Sequence, residues 1–547
     1  MRLLARFLPL VVLLGAAPRA EFKLEAVLPD STLLFAELPS AATFREGFKK
    51  TRLYRFFQDE EVRAFFEEAL EAGLRDIDGF RRELEAETGV ALDRAWELAD
   101  GQAALALTSI KPPTVLLTVE CSGKRDVLLK LAAYARKAHD ARSDRKAETW
   151  KLGEAEALSG RLPGGLPLNL AIVGDVLAIA TSREALQALD AGRRQPPARP
   201  LGASSVFLKA REKSQAKDAF FYADVAGFVK GVQENLGPQE RRAVAALGVD
   251  GFTFAAAGIA LRETHVTERA FLGAGPERKG LAKFLSLKGA APGFEAAPAD
   301  ALQFLSLSID VAELYDTVLE IAQEADPPGA ARLRDAIADF EQEAGLTLKG
   351  DLFPALGRGV STYSAFPQDG LLPDGVSVFE IRDAARFDAC LDAALRNLEA
   401  TLGEVPFRGA SIRFFRFKEP PLDDPARLLL SSLYFLREDG RVTVSAPLMG
   451  GLGGVNALKR HVLRRDQPRL SAAPAVRDWL GGRTGDASLV YYLDLERGFT
   501  ALYNTVAPFA LVFGDGLRDS GLDLMKLPLG ETLGKHLSQI VHCVRVE

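Results

Sequence analysis

Residues Glu87–Gly101 read ETGVALDRAWELADG, and residues Glu343–Gly357 read EAGLTLKGDLFPALG. At a shift of 256, five of these fifteen positions are identical: Glu87/Glu343, Gly89/Gly345, Leu92/Leu348, Ala99/Ala355 and Gly101/Gly357. Trp96 falls opposite Leu352, apolar against apolar. Internal self-similarity decides a fold reading before any local pattern does, because the copies must share one architecture.

The flanks repeat in the same order. PDSTLLFAEL (Pro29–Leu38) corresponds to PADALQFLSL (Pro298–Leu307), and VLLTVEC (Val115–Cys121) to GVSVFEI (Gly375–Ile381). LNLAIVGDVLAIA (Leu168–Ala180) corresponds to SLYFLREDGRVTVSA (Ser432–Ala446). Both read as hairpins, turning at Gly174-Asp175 and Asp439-Gly440. DAFFYADVAGF (Asp218–Phe228) corresponds to DASLVYYLDLERGF (Asp486–Phe499). The expected fold is α+β, with two homologous tandem domains from an internal duplication and mostly antiparallel sheets packed with helices on one face. The domains are expected at 21–287 and 298–547, joined by a linker at 288–297 within KGAAPGFEAAPA. The second is expected to lack a closing strand, since the chain ends shortly after QIVHCVRVE. The stretch Glu60–Leu74 reads as an amphipathic helix with Val62, Phe65, Phe66, Ala69 and Leu70 on one face.

Composition bounds the function. The chain has 547 residues, 48% of them apolar and 26% charged, with a formal charge of −6. Such a chain is globular, too large for one core, and lacks the basic footprint of a nucleic-acid binder. At the N-terminus Arg2 and Arg6 precede the apolar run Phe7–Leu14 and the small residues Gly15, Ala16, Ala17 and Ala20. This is the order of a secretory signal peptide over residues 1–20, and the run is too short to span a bilayer. An uncleaved N-terminal anchor is the alternative. The expected location is therefore periplasmic or extracellular, with no transmembrane helix after signal removal. Three widely spaced cysteines, Cys121, Cys390 and Cys543, do not make a disulfide framework, although a Cys121–Cys390 bridge stays open.

Catalytic patterns are missing. Gly359-Val360-Ser361-Thr362-Tyr363 approaches G-x-S-x-G and fails at its last position. S-x-x-K occurs at Ser143–Lys146 and Ser214–Lys217 without its companion motifs, and both sit in charged stretches that read as solvated. His139, His265, His461, His536 and His542 are few for so long a chain. His542 and Cys543, adjacent on a strand, point to opposite faces, which is poor geometry for a metal. Gly450, Gly451, Gly453 and Gly454 precede a helix but miss the dinucleotide spacing, so they read as a connection. No cofactor and no metal are expected. The basic run Lys459, Arg460, His461, Arg464, Arg465 reads as a solvated helix face, with anionic lipid or cell-wall polymer as the other option. Glu120 and Glu380 are equivalent carboxylates at strand ends, suited to a shared structural job such as capping the next helix.

One apolar stretch stands apart. GFTALYNTVAPFALVFG (Gly498–Gly514) runs seventeen residues without a charge. It reads first as a buried core helix. Its alternatives are the wall of a hydrophobic ligand cavity, a surface that touches membrane, or a partner surface, made by Phe499, Leu502, Tyr503, Val506, Phe509, Leu511 and Phe513.

Leu28-Pro29-Asp30-Ser31-Thr32-Leu33-Leu34-Phe35 and the later Thr51-Arg52-Leu53-Tyr54-Arg55-Phe56, with Asp59 and Glu61, carry a likeness. This L-P-x-x-T strand opening and following helix resemble an uncharacterised domain-of-unknown-function family of exported bacterial proteins. The resemblance covers the mature chain to about Leu74, implies an exported bacterial protein, and transfers no site. The functional expectation is a non-catalytic envelope protein that binds or scaffolds, its partner a hydrophobic small molecule or another envelope protein and not nucleic acid. An exported hydrolase with a non-standard carboxylate site and a subunit of an envelope assembly are the alternatives.

Overall fold

Phe35 and Phe304, one in each of two sheets, sit fully buried. A computed structural model describes residues 22–65, 81–91, 97–142, 146–161, 165–263, 265–276, 278–284, 291, 294–367, 373–418, 428, 430–438, 440–445, 454–474, 476–477, 487–513 and 526–544. The described chain divides into two units, one of residues 22–237 with 250–276, the other of 238–249, 278–513 and 528–544.

The first unit holds strands β1 (Leu34–Leu38), β2 (Ala103–Ile110), β3 (Pro113–Glu120), β4 (Glu148–Leu152) and β5 (Ala155–Arg161). Then come β6 (Pro167–Val173), β7 (Val176–Ala180), β8 (Ala219–Ala223), β9 (Phe252–Leu261) and β10 (Val266–Ala274). They form one antiparallel sheet in the order β10-β9-β8-β1-β2-β3-β7-β6-β5-β4. Side chains alternate across a strand, so each register row has a defined face. One face, through Phe35, Ala106, Leu116, Ala178, Phe220 and Tyr222, forms the main core with Leu186 and Leu189 of the helix Arg183–Arg194 and Phe207 of the helix Ser205–Ser214. Phe207 meets Phe35 edge-on at 5.5 Å and Phe220 at 5.6 Å. The opposite face, through Ala103, Val119, Ile172 and Leu177, carries the helix Arg125–Arg142 by Leu128, Leu131 and Ala132. Helices thus cover both faces, a correction to the one-faced expectation: these strands are apolar on both sides, and each side needs a cover.

The second unit holds β11 (Gln303–Ser308), β12 (Leu356–Ala365), β13 (Asp374–Ile381), β14 (Ala400–Phe407) and β15 (Ala410–Phe417). It continues with β16 (Tyr434–Glu438), β17 (Arg441–Ser445), β18 (Leu489–Asp494) and β19 (Gln539–Val544). Their order, β14-β15-β16-β17-β13-β12-β11-β18-β19, is that of the first sheet read from the other edge, less a partner for β10 among the described residues. Phe304 pairs with Tyr363 and Tyr492 as Phe35 pairs with Ala106 and Tyr222. The helix Ala384–Asn397 packs Phe387 and Leu391 on one face, as Arg125–Arg142 does in the first unit. The helix Val455–Leu463 packs Ala457 and Leu458 on the other.

Small features repeat as well. Asp224 Oδ1 accepts from Gly227 N at 3.0 Å and Asp494 Oδ1 from Arg497 N at 3.0 Å, so equivalent aspartates cap equivalent helices. The Gly174 and Gly440 hairpin turns both adopt positive φ, 65° and 67°. Glu120 accepts from Phe22 N and Gln102 N, and Glu380 accepts from Gly359 N at 3.0 Å. These carboxylates thus hold backbone at the start of β2 and in β12, a structural job common to both units. Glycine is required beside them: a Cβ on Gly101 would lie 2.0 Å from Glu120 Oε2, and one on Gly357 would lie 2.5 Å from Glu380 Cγ.

Of the helix expected over Glu60–Leu74, Val62 is buried, and residues from Phe66 onward lie outside the described set. Thr51 caps the helix Arg52–Gln58 by accepting from Tyr54 N. Cys121 and Cys390 are buried thiols that no disulfide joins. Among the described residues no helix is long and apolar enough to cross a membrane.

Candidate functional site

The strands around β1 are apolar on both faces, and on the face away from Phe35 their residues are not fully covered. A cavity of about 260 Å³ opens there in the first unit. Its floor is made of alanines, Ala36, Ala103, Ala219 and Ala257, and larger side chains flank them: Leu38, Leu105, Leu117, Phe221 and Ile259. Ladder pairing aligns Ala36 with Leu105 and Phe221, and Phe221 with Ala257. Leu105 is 45% exposed and Phe221 42%. Alanine leaves room above the sheet where a larger residue would fill it, so small and large apolar side chains together shape a concave surface. The volume exceeds the roughly 150 Å³ of an engineered apolar cavity that takes benzene. It falls below the roughly 300–1,000 Å³ of drug-sized ligand sites.

Directly through the sheet from this floor lies a buried polar cluster. Glu37, 4% exposed, alternates with Ala36 and so stands on the Phe35 face. Gln102 Nε2 donates to Glu25 Oε2 at 2.9 Å and also to Glu37 Oε2. Arg211 Nη2 lies 2.6 Å from Glu37 Oε1 and 3.1 Å from Glu25 Oε1, its guanidinium over the rings of Phe207 and Phe220. Burial pushes the Glu37 carboxyl up to about 7, with Glu25 adding to the rise and Arg211, Gln102 and Lys23 opposing it.

A carboxyl raised in the folded state binds a proton that the unfolded chain has already released. Its stabilising contribution is complete below about pH 4.5 and is lost as pH rises through about 7. The loss amounts to about 3 kcal/mol. Glu37→Gln should therefore flatten the pH dependence of the thermal midpoint between pH 4.5 and 7, and leave the variant the more stable protein at pH 8. Parallel melting curves of the two proteins across that window would contradict the assignment.

The helix Leu495–Phe513 contains the apolar stretch singled out in the sequence. It is not the fully buried core helix of the first expectation: Phe499 is 36% exposed, Val506 50% and Leu502 61%. Spaced at i, i+3 and i+7, these three share one outward face. Tyr503 faces another way, donating its hydroxyl to Pro528 O at 2.7 Å. The side chains of Phe509, Leu511 and Phe513 lie outside the described set.

The basic run is a correction. Arg460 pairs with Asp374, Arg464 with Asp300 and Arg465 with Glu438, while Lys459 lies over the Phe407 ring. Tyr363 Oη sits 2.8 Å from His461 Nδ1 beside Glu438, whose carboxyl is held below the usual range by His461 and Arg465. These cations are spent within the unit, so the segment is an internal ion-pair lattice rather than a solvated face. Ser214, expected in a solvated stretch, is buried and donates to Arg211 O at the helix end. Ser361 is buried in β12. His542 is exposed on β19 while Cys543 packs against the core, as strand alternation requires. Among the described residues no cluster suits a metal ion. Gly450, Gly451 and Gly453 lie outside the described set.

The cavity was not singled out from sequence, yet a signal exists. AALAL in β2 and FAAAGIAL in β9 are apolar at odd and even positions alike, where a strand with one wet face alternates.

No family model matches the chain, and no curated protein does. One solved structure, "Structure of crystal form III of TP0453", aligns over 82% of this chain and 98% of its own at 8% identity and a TM-score of 0.21. So loose a superposition carries no argument, and function rests on this chain's own residues.

Proposed function

We propose that this is an exported, non-catalytic binding protein of the bacterial envelope that holds an apolar small molecule against the outer face of its first sheet. The observation that carries the reading is the cavity of about 260 Å³ over Ala36, Ala103, Ala219 and Ala257, walled by apolar side chains. The basic start and short apolar run of residues 1–20 support export. Two sheets with one strand order fit an internal duplication in which a common scaffold is reused. Glu120 and Glu380, the carboxylates on which a hydrolase reading would rest, each bind backbone amides within separate units.

Native mass spectrometry of protein prepared from periplasm without detergent tests this. The expected result is extra mass that organic solvent removes. A bare chain that also fails to take up an apolar dye would refute it.

A second reading, docking to another envelope protein, draws on the exposed Phe499, Leu502 and Val506. Under it, Val506→Lys leaves the melting temperature in place and abolishes co-purification of a partner. Unchanged co-purification would remove it.

A further inference from the structure

The two repeats align residue for residue across their central strands, so the second shows what the same scaffold does without a cavity floor of alanines. By ladder register, Ala36 corresponds to Leu305, Ala103 to Val360, Ala219 to Leu489 and Ala257 to His542. Three of the four alanines are replaced by larger aliphatic residues and the fourth by an imidazole. The flanking wall changes too: Leu105 corresponds to Thr362 and Leu117 to Ser377. The second repeat is thus bulkier at the floor and polar at the wall, whereas the first is open and apolar.

The cavity is also narrow. Its residues lie on β3, β2, β1, β8 and β9, five consecutive strands of the sheet. At about 4.8 Å between neighbouring strands it extends about 19 Å. On each of these strands no more than two outward residues line it, such as Ala36 and Leu38 or Ala103 and Leu105, about 7 Å apart along the strand, so the apolar strip is longer than it is wide, the footprint of an extended chain. Among the described residues that line it Glu37 is the charged one, and its side chain stands on the opposite face with Gln102 and Arg211.

Resting on the binding reading above, we infer that the first repeat alone holds one unbranched hydrocarbon chain, lying across β3 to β9, with any polar head left outside in solvent. The ligand class is a single-chain lipid, whether free fatty acid or lysophospholipid, and the stoichiometry is one per protein. The paired polar cluster behind the floor plays no part in recognition.

The test is a fluorescence titration with parinaric acid, an unbranched fluorescent fatty acid, on delipidated full-length protein. The variants Ala36→Leu and Ala103→Val each install the residue of the second repeat, and urea midpoints establish that each is folded. Valine suits a strand interior, so Ala103→Val keeps the test alive should Ala36→Leu unfold. The expected result is one site in the parent and binding weakened about fiftyfold in Ala36→Leu, the effect of excluding three methylenes. Lauric acid and a lysophospholipid should both displace the probe. Unweakened binding in both folded variants would overturn the placement in the first repeat while leaving apolar binding intact. Displacement by cholesterol and by neither single-chain competitor would overturn the chain assignment. No uptake of parinaric acid or of any apolar dye would remove the binding reading itself.

Discussion

Arg211→Met should destabilise the first unit by about 3 kcal/mol at pH 8, with a smaller loss at pH 4.5. Two carboxylates, Glu25 and Glu37, are buried to 7% and 4% exposure, and Arg211 is the cation between them. Removing one partner of a buried ionic cluster typically costs about 3–5 kcal/mol, because the remaining charge has neither water nor a counter-ion. The lower end applies here, since the Arg211 side chain is itself 35% exposed. Methionine keeps an unbranched stem over Phe207 and Phe220, so lost packing contributes little. Acid separates the two effects. Below the raised value of about 7 Glu37 takes up a proton, its charge disappears, and the missing guanidinium matters less. Urea unfolding at both pH values checks this. An equal loss at pH 8 and pH 4.5 would assign the effect to packing alone.

Phe304→Ala is expected to cost the second unit about 3–5 kcal/mol. Phe304 is fully buried in β11, between Tyr363 of β12 and Tyr492 of β18 in the ladder, with the Phe294 ring 5.6 Å away. Three strands meet at this ring, so the void cannot collapse without moving the ladder, and the penalty lies at the upper end for large-to-small changes. Phe304→Leu should recover more than half of the loss. Denaturant midpoints of the two variants decide it; a loss below about 1 kcal/mol for alanine would show that Phe304 is not the keystone of this sheet.

Both experiments probe features that the sequence exposes unequally. The likeness of the two units was legible because its markers are backbone-dictated: Gly101 and Gly357 lie against Glu120 and Glu380, and Asp224 and Asp494 each cap a helix. The hairpin turns were legible for the same reason. The antiparallel order followed from hairpins, but the covering of both faces did not. The expectation of helices on one face did not weigh that β2 and β9 are apolar at odd and even positions alike.

Long-range pairing was the least legible element. Nothing local to Arg460, Arg464 or Arg465 announces Asp374, Asp300 and Glu438, which the topology brings from β13, from the residues before β11 and from β16. The Glu37 cluster is hidden likewise, since its members lie at positions 25, 37, 102 and 211. The cavity depended on which alanines share a face, and that is fixed by register across five strands. An alanine is silent in sequence: it marks neither a turn nor a charge, and its role is the space it leaves.

Those alanines can be observed directly. Protein labelled at its alanine methyl groups would be titrated with parinaric acid and followed by methyl NMR. Shifts are expected at Ala36, Ala103, Ala219 and Ala257, with Ala104 and Ala178 of the opposite face and Ala365 of the second unit unmoved. Shifts confined to Ala501 in the helix Leu495–Phe513, with the four floor alanines unchanged at saturation, would contradict that expectation.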